Sequence, residues 1–126
     1  MEIRKAKLNE WEEIKKILKK DFNKEDIDDV KRILESGDGC FVALINDKII
    51  GTVSGHYHGK EANIEQIAVL PKHKGKGIGL KLLKYIVNYF KKKGEKRVYA
   101  DIDKKVFPFY KKLGFYMNNK IAIKEI

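Results

Sequence analysis

Apolar positions recur along this chain in two periods, and the changes from one to the other mark its elements. "EIRKAK" alternates weakly and reads as a first strand. Trp11, Ile14, Leu18 and Phe22 then recur at helical spacing, with Ile17 beside them. Asn9, with Glu12 three residues later, predicts the cap of that helix. Asn23 and Asp26 predict a second cap, and Ile27, Val30 and Leu34 carry a second helix as far as Gly37. "CFVALI" and "KIIGTVSGHYH" read as strands joined by a tight turn at Asn46–Asp47. "ANIEQIAVL" is a further strand, which Pro71 ends because it lacks an N–H for the ladder.

After the glycines of "KGKGIG", a helix buries Leu82, Leu83, Ile86, Val87 and Phe90 and turns Lys81, Lys84 and Lys91 outward, until Gly94 stops it. "RVYADI" reads as a strand. "VFPFYKKLG" reads as a short helix begun by Pro108, with Gly114 just past its end. "FYMNN" and "KIAIKEI" close the sheet. The order β α α β β β α β α β β shows no internal repeat, linker or low-complexity segment. It predicts an α/β (α+β) class: a single domain over residues 1–126, with a mixed central sheet of about six to seven strands flanked by about four helices.

Composition narrows the class. Hydrophobic residues make up 43% and charged residues 37%, which suits a folded soluble domain and excludes a disordered tail. No apolar run approaches the ~20 residues of a membrane span. The N-terminus "MEIRKAKLNEW" lacks the apolar core of a secretion signal. Cys40 is the one cysteine, so no internal disulfide forms, and a reducing cytoplasm is the expected compartment. Its apolar strand context predicts a buried structural thiol.

The net charge is +10, and ten Lys or Arg lie within residues 71–97 against one acid, Glu95. Such a balance fits nucleic acid, an anionic cofactor or a lysine-rich surface. No helix-turn-helix or RNP-like motif is present, so nucleic acid is not the expected partner.

The charge surrounds a glycine turn between a strand and a helix. The first N–H groups of a helix lack partners and carry partial positive charge, so such an end binds phosphate. Glycines let the backbone approach the anion. A Walker loop needs Ser or Thr after Gly-Lys, but Gly77 follows Gly75–Lys76. A dinucleotide fingerprint needs a glycine three residues after Gly77, where Leu80 stands. These residues leave two readings: a pyrophosphate cradle of another kind, or a flexible turn without a ligand.

"IAVLPKHKGKGIGLKLL", followed downstream by "FYKKLGF", resembles the GNAT superfamily of acetyl-CoA-dependent N-acetyltransferases. The family's Arg/Gln-x-x-Gly-x-Gly/Ala pattern falls on Lys74, Gly77 and Gly79, with lysine in place of the usual Arg or Gln. The resemblance implies that Ile67, Ala68 and Val69 form a splayed strand whose backbone pairs with the pantetheine arm. It implies that the amides of Lys74, Gly75, Lys76, Gly77, Ile78 and Gly79 hold the pyrophosphate of acetyl-CoA, the cosubstrate. The basic helix would then meet the 3′-phosphate.

Acetyl transfer to an amine requires a neutral amine, a donor for the oxyanion and help for the departing thiolate. Tyr110, in "PFYKKLGF", matches the family's tyrosine that protonates the sulfur. Glu65 and Asp101 are the candidate bases. Alternation puts Glu65 on the strand face of Ile67 and Val69. Asp101 stands nine residues before Tyr110, a spacing similar to the glucosamine-phosphate N-acetyltransferase branch, although Lys105 replaces that branch's asparagine. His56 and His58 flank Tyr57 on one strand face and could serve as base or substrate contacts. No third ligand accompanies them, so no metal is expected. Phe107, Phe109 and Phe115 are expected to pack the core, with room for one to line the acyl pocket.

The expected partner is an amine acceptor, either a small molecule or a protein amine, with no membrane contact. Homodimers are common among proteins of this resemblance. The competing readings are a non-catalytic acyl-CoA sensor and a basic nucleic-acid module.

Overall fold

The computed structural model describes residues Met1 to Ile126, and its elements follow the order that the polarity pattern predicts. The strands are β1 (Glu2–Lys5), β2 (Cys40–Ile45), β3 (Lys48–Tyr57), β4 (Glu61–Val69), β5 (Arg97–Asp101), β6 (Tyr116–Asn118) and β7 (Ile121–Glu125). The helices are α1 (Trp11–Leu18), α2 (Lys24–Glu35), α3 (Ile78–Lys92) and α4 (Phe107–Lys111). All seven strands form one sheet in the order β1-β2-β3-β4-β5-β7-β6. Neighbours are antiparallel except β4 and β5, which are joined by α3 and run parallel. Asn46 and Asp47 take φ of 51° and 63°, the left-handed pair that a two-residue β2–β3 hairpin requires.

Each face of the sheet is covered by the apolar stripe of a helix. On one face α1 and α2 set Ile14, Leu18, Val30 and Leu34 against Cys40, Val42 and Ala68. On the other, α3 sets Leu82, Leu83, Ile86 and Phe90 against Phe41, Val53 and Ile64. Fully burying one such side chain contributes roughly 1.5–3 kcal/mol, so these stripes outweigh intrinsic helix propensity. Burial pushes the Cys40 thiol up to about 11, which makes it an inert core group at neutral pH.

The start of α1 differs from its expected cap. Leu8–Glu10 form a 3₁₀ turn, and Glu10 accepts the Lys7 N–H at 2.7 Å in place of an Asn9–Glu12 box. The cause is tertiary: Arg4 on β1 grips both Glu10 oxygens, at 3.0 and 2.7 Å. The hydrogen bond with Arg4 holds the Glu10 carboxyl below the usual range. Asn23 caps α2 as its sequence predicts, accepting the Asp26 N–H at 2.8 Å.

Glu95, the lone acid in the lysine-rich stretch, is 2% exposed. Its Oε1 accepts the N–H groups of His58 and Gly59 at 2.9 and 3.0 Å, tying the β3–β4 turn to the start of β5. No helix is long and apolar enough to cross a membrane.

Candidate active site

Pairing between β4 and β5 stops after three register pairs, Glu61–Arg97, Ala62–Val98 and Asn63–Tyr99. Beyond them β4 continues along β3 as far as Val69, and β5 continues along β7 as far as Asp101. The strands part, and β4 from Ile64 onward has no strand on its β5 side. A free strand edge presents unpaired N–H and C=O groups. A cleft of about 780 Å³ opens there.

A bulge decides which side chains β4 sends to each face. Ser54 faces Gln66, yet the next residue, Gly55, faces Ile64, so Glu65 is the extra residue. Ile64 and Val69 consequently share the α3-side core although five positions apart, and Ile67 packs against the same core. Simple alternation would group Glu65 with Ile67 and Val69; the bulge places it on the other face, with Asn63. Glu65 Oε1 accepts a hydrogen bond from Asn63 Nδ2 at 2.7 Å and lies 3.4 Å from His56 Nδ1. Glu65 nonetheless lines the cleft.

Past β4, Pro71–His73 make one 3₁₀ turn, and the chain then turns through Gly75 and Gly77 at φ of 79° and 80°. Side chains rarely adopt that conformation, which is why the turn needs glycine. A Cβ at either position would meet no atom within 4 Å, so the space above the turn is open. The orphan N–H groups of α3 begin at this point. A Cβ at Gly79 would lie 3.4 Å from the Phe109 ring, so that glycine lets α3 approach α4. The Lys74 side chain reaches Asp21 Oδ2, in the α1–α2 loop, at 3.4 Å.

Across the cleft, α4 presents Tyr110, which is 7% exposed. Its ring meets Phe109 and Phe115 edge-on at 5.4 and 5.3 Å. Burial pushes its phenol up to about 12, so it carries its proton at neutral pH.

The cleft brings together Glu65, Ile67, Ala68, Val69, Lys74, Gly75, Gly77, Ile78, Gly79, Asp101 and Tyr110. Lys76 is outside its lining, as are His56 and His58, whose rings stack edge to face at 4.7 Å. Of the three phenylalanines, Phe109 lines the cleft and Phe115 is buried at 3% exposure. Asp21, Phe22, Gln66, His73 and Asp103 also line it. Of these, Gln66, His73 and Asp103 were not singled out from the sequence, and only Gln66, inside "IEQIAV", carried a local signal. Lys91 and Lys92 sit at the far end of the 15-residue α3, ~20 Å from the glycine turn at ~1.5 Å per residue. That distance separates half of the basic stretch from any ligand bound at the turn.

Residues 6–115 match the acetyltransferase (GNAT) family. An uncharacterized N-acetyltransferase of Methanocaldococcus jannaschii is 35% identical over 88 residues, which are 62% of this chain and 39% of that protein. The chain therefore spans well under half of that relative's length. Among solved structures, PaiA N-acetyltransferase from Thermoplasma acidophilum, in complex with coenzyme A, is similar with a TM-score of 0.78 and 19% identity, over 99% of this chain and 98% of that one. Ard1 from Thermoplasma volcanium is similar with a TM-score of 0.85 and 18% identity, over 99% and 97% of the two chains.

Proposed function

The chain belongs to the GNAT acetyltransferase family, and on that premise we propose that it moves an acetyl group from acetyl-CoA to a primary amine by direct attack. The observation that carries this reading is the parting of β4 from β5 directly beside the glycine turn, in a cleft that also holds Tyr110. The unpaired edge at Ile67–Val69 suits an amide-bearing pantetheine arm, and the open glycine turn suits a pyrophosphate. The PaiA structure with coenzyme A shares this fold.

In the proposed reaction the amine nitrogen bonds to the thioester carbon, the C–S bond breaks, and the amine's surplus proton leaves through Glu65 or Asp101. Tyr110 serves the departing sulfur. Its phenol at about 12 is a weaker acid than a CoA thiol of ~8.5 by the cysteine reference, so full proton transfer runs uphill. Its contribution is thus a hydrogen bond to the developing thiolate, which takes its proton from water once the sulfur has departed.

Thiol release from acetyl-CoA, followed across a set of amines, tests the reading. Acetyl transfer to at least one amine is expected. Coenzyme A binding without thiol release for any amine would favour a sensor on the same fold. Absence of any coenzyme A binding would overturn both.

A further inference from the structure

We propose that His56 is a positioning residue for Glu65, holding its carboxylate together with Asn63 so that its other oxygen meets the amine. The proposal rests on the acetyl-transfer reading above and deepens it.

Three observations converge. First, bulges re-aim side chains, and this one places its extra residue, Glu65, on the lining of the cleft. Second, both contacts fall on one oxygen. Asn63 Nδ2 donates to Oε1 at 2.7 Å and His56 Nδ1 stands 3.4 Å from the same atom. The other oxygen is left for an incoming amine. Third, exposure rises along the chain of groups. The Glu65 side chain is 21% exposed and that of His56 is 40% exposed. A proton can therefore reach water on the α1–α2 face without crossing the space that the cofactor occupies. Asp101, the other candidate base, is exposed at the end of β5.

The surroundings leave His56 to this role. His58 packs edge-to-face on it from just past the end of β3. Tyr99 on β5 is the register partner of Asn63. Asp38, ahead of β2, accepts from the Tyr57 hydroxyl at 2.7 Å, and Glu95 is taken by the His58 and Gly59 amides. An amine N–H proton moves to the Glu65 carboxylate as the nitrogen lone pair attacks. Glu65, whose side chain is 21% exposed, then releases that proton to water, while His56 Nδ1 stays beside Oε1.

The test compares the parent with His56→Ala, His56→Gln and Glu65→Gln in the thiol-release assay across pH, with the coenzyme A melting shift measured in parallel. Glu65→Gln is expected to lose roughly 10²-fold in kcat, the low end for a general base. His56→Ala is expected to lose about tenfold in kcat, below that range because it acts through Glu65, and to change the acidic limb of the kcat/KM profile. Its melting shift with coenzyme A should equal the parent's. His56→Gln keeps a donor for Oε1, so it should recover most of the kcat that His56→Ala loses. An active parent whose His56→Ala variant retains kcat and pH profile would overturn the role of His56 and leave the acetyl-transfer reading standing. Full activity in Glu65→Gln would also overturn it. A parent that binds coenzyme A yet transfers to no amine would overturn both.

Discussion

Two regions of β4 differ in what lies on its β5 side, and the difference separates stability from chemistry. At Ala62 and Asn63 the strand is paired on both edges. A Cβ at Gly55 there would sit 2.4 Å from the Asn63 carbonyl oxygen and 2.9 Å from the Phe90 ring. From Ile64 to Val69 one edge is free, and a Cβ at Gly75 or Gly77, just beyond, would meet nothing within 4 Å. Glycine serves tight packing in the first region and an open approach in the second. A parallel pair that stays closed buries its hydrogen bonds in the sheet; one that parts makes them available to a ligand.

The largest effect should come from the closed region. Gly55→Ala forces a methyl group against backbone, and overpacking of this kind costs about 3 kcal/mol at its upper range. The urea midpoint should fall with little change in the slope. Coenzyme A affinity, corrected for the folded fraction, should stay near the parent's. A variant as stable as the parent would mean that α3 and β4 give way more easily than their separation suggests.

Tyr110→Phe probes the open region. The ring packing against Phe109 and Phe115 survives, so the loss belongs in turnover. A fall in kcat of about 10²-fold or somewhat less is expected, with the coenzyme A dissociation constant unchanged. The small size follows from the phenol's position at about 12, which limits it as a proton donor. A large loss of coenzyme A affinity with unchanged kcat would instead make Tyr110 a binding residue.

The same burial gives a stability signature at high pH. Tyr110 rises from 10.0 to about 12 and Cys40 from 9.0 to about 11, so the folded state holds both protons more tightly than the unfolded chain. Their contribution is complete below pH 9 and is lost as pH climbs through 9–11 for Cys40 and 10–12 for Tyr110. The urea midpoint should decline across that window, and Tyr110→Phe should flatten its upper part.

Much of this was legible in the sequence, for identifiable reasons. Pro71, the glycines and the stripe from Leu82 to Phe90 are local signals, and the boundary of β4, the turn and α3 follow from them. The hairpin at Asn46–Asp47 was equally local. The bulge at Glu65 was not, because it is set by how Ser54 and Gly55 of β3 pair with β4, and no residue type in "NIEQIAV" announces it. Alternation therefore put Glu65 on the wrong face. The α1 cap was misplaced for a similar reason: Arg4, on another element, claims Glu10. The basic stretch was read as one patch serving the cofactor, although a 15-residue helix carries Lys91 and Lys92 ~20 Å away.

A smaller effect separates conformation from charge at the turn. Gly77→Asn and Gly77→Asp both force a side chain into φ near 80°, a cost of about 1 kcal/mol that Asn and Asp tolerate best. Only Asp adds a negative charge above the open turn. Coenzyme A should bind about tenfold more weakly to the Asp variant than to the Asn variant, equivalent to ~1.4 kcal/mol, and the gap should narrow with added salt. Equal affinities would move the pyrophosphate away from Gly77.

Amide hydrogen exchange with and without coenzyme A tests the central contrast most directly, because it reads both regions of β4 in one experiment. Amides of Ile67–Val69 and of Lys74–Gly79 should gain protection when coenzyme A is added, while those of Ala62 and Asn63, already paired on both edges, should change little. Protection that appears elsewhere in the chain and leaves the free edge and the glycine turn exchanging as before would contradict the placement of the cofactor in this cleft.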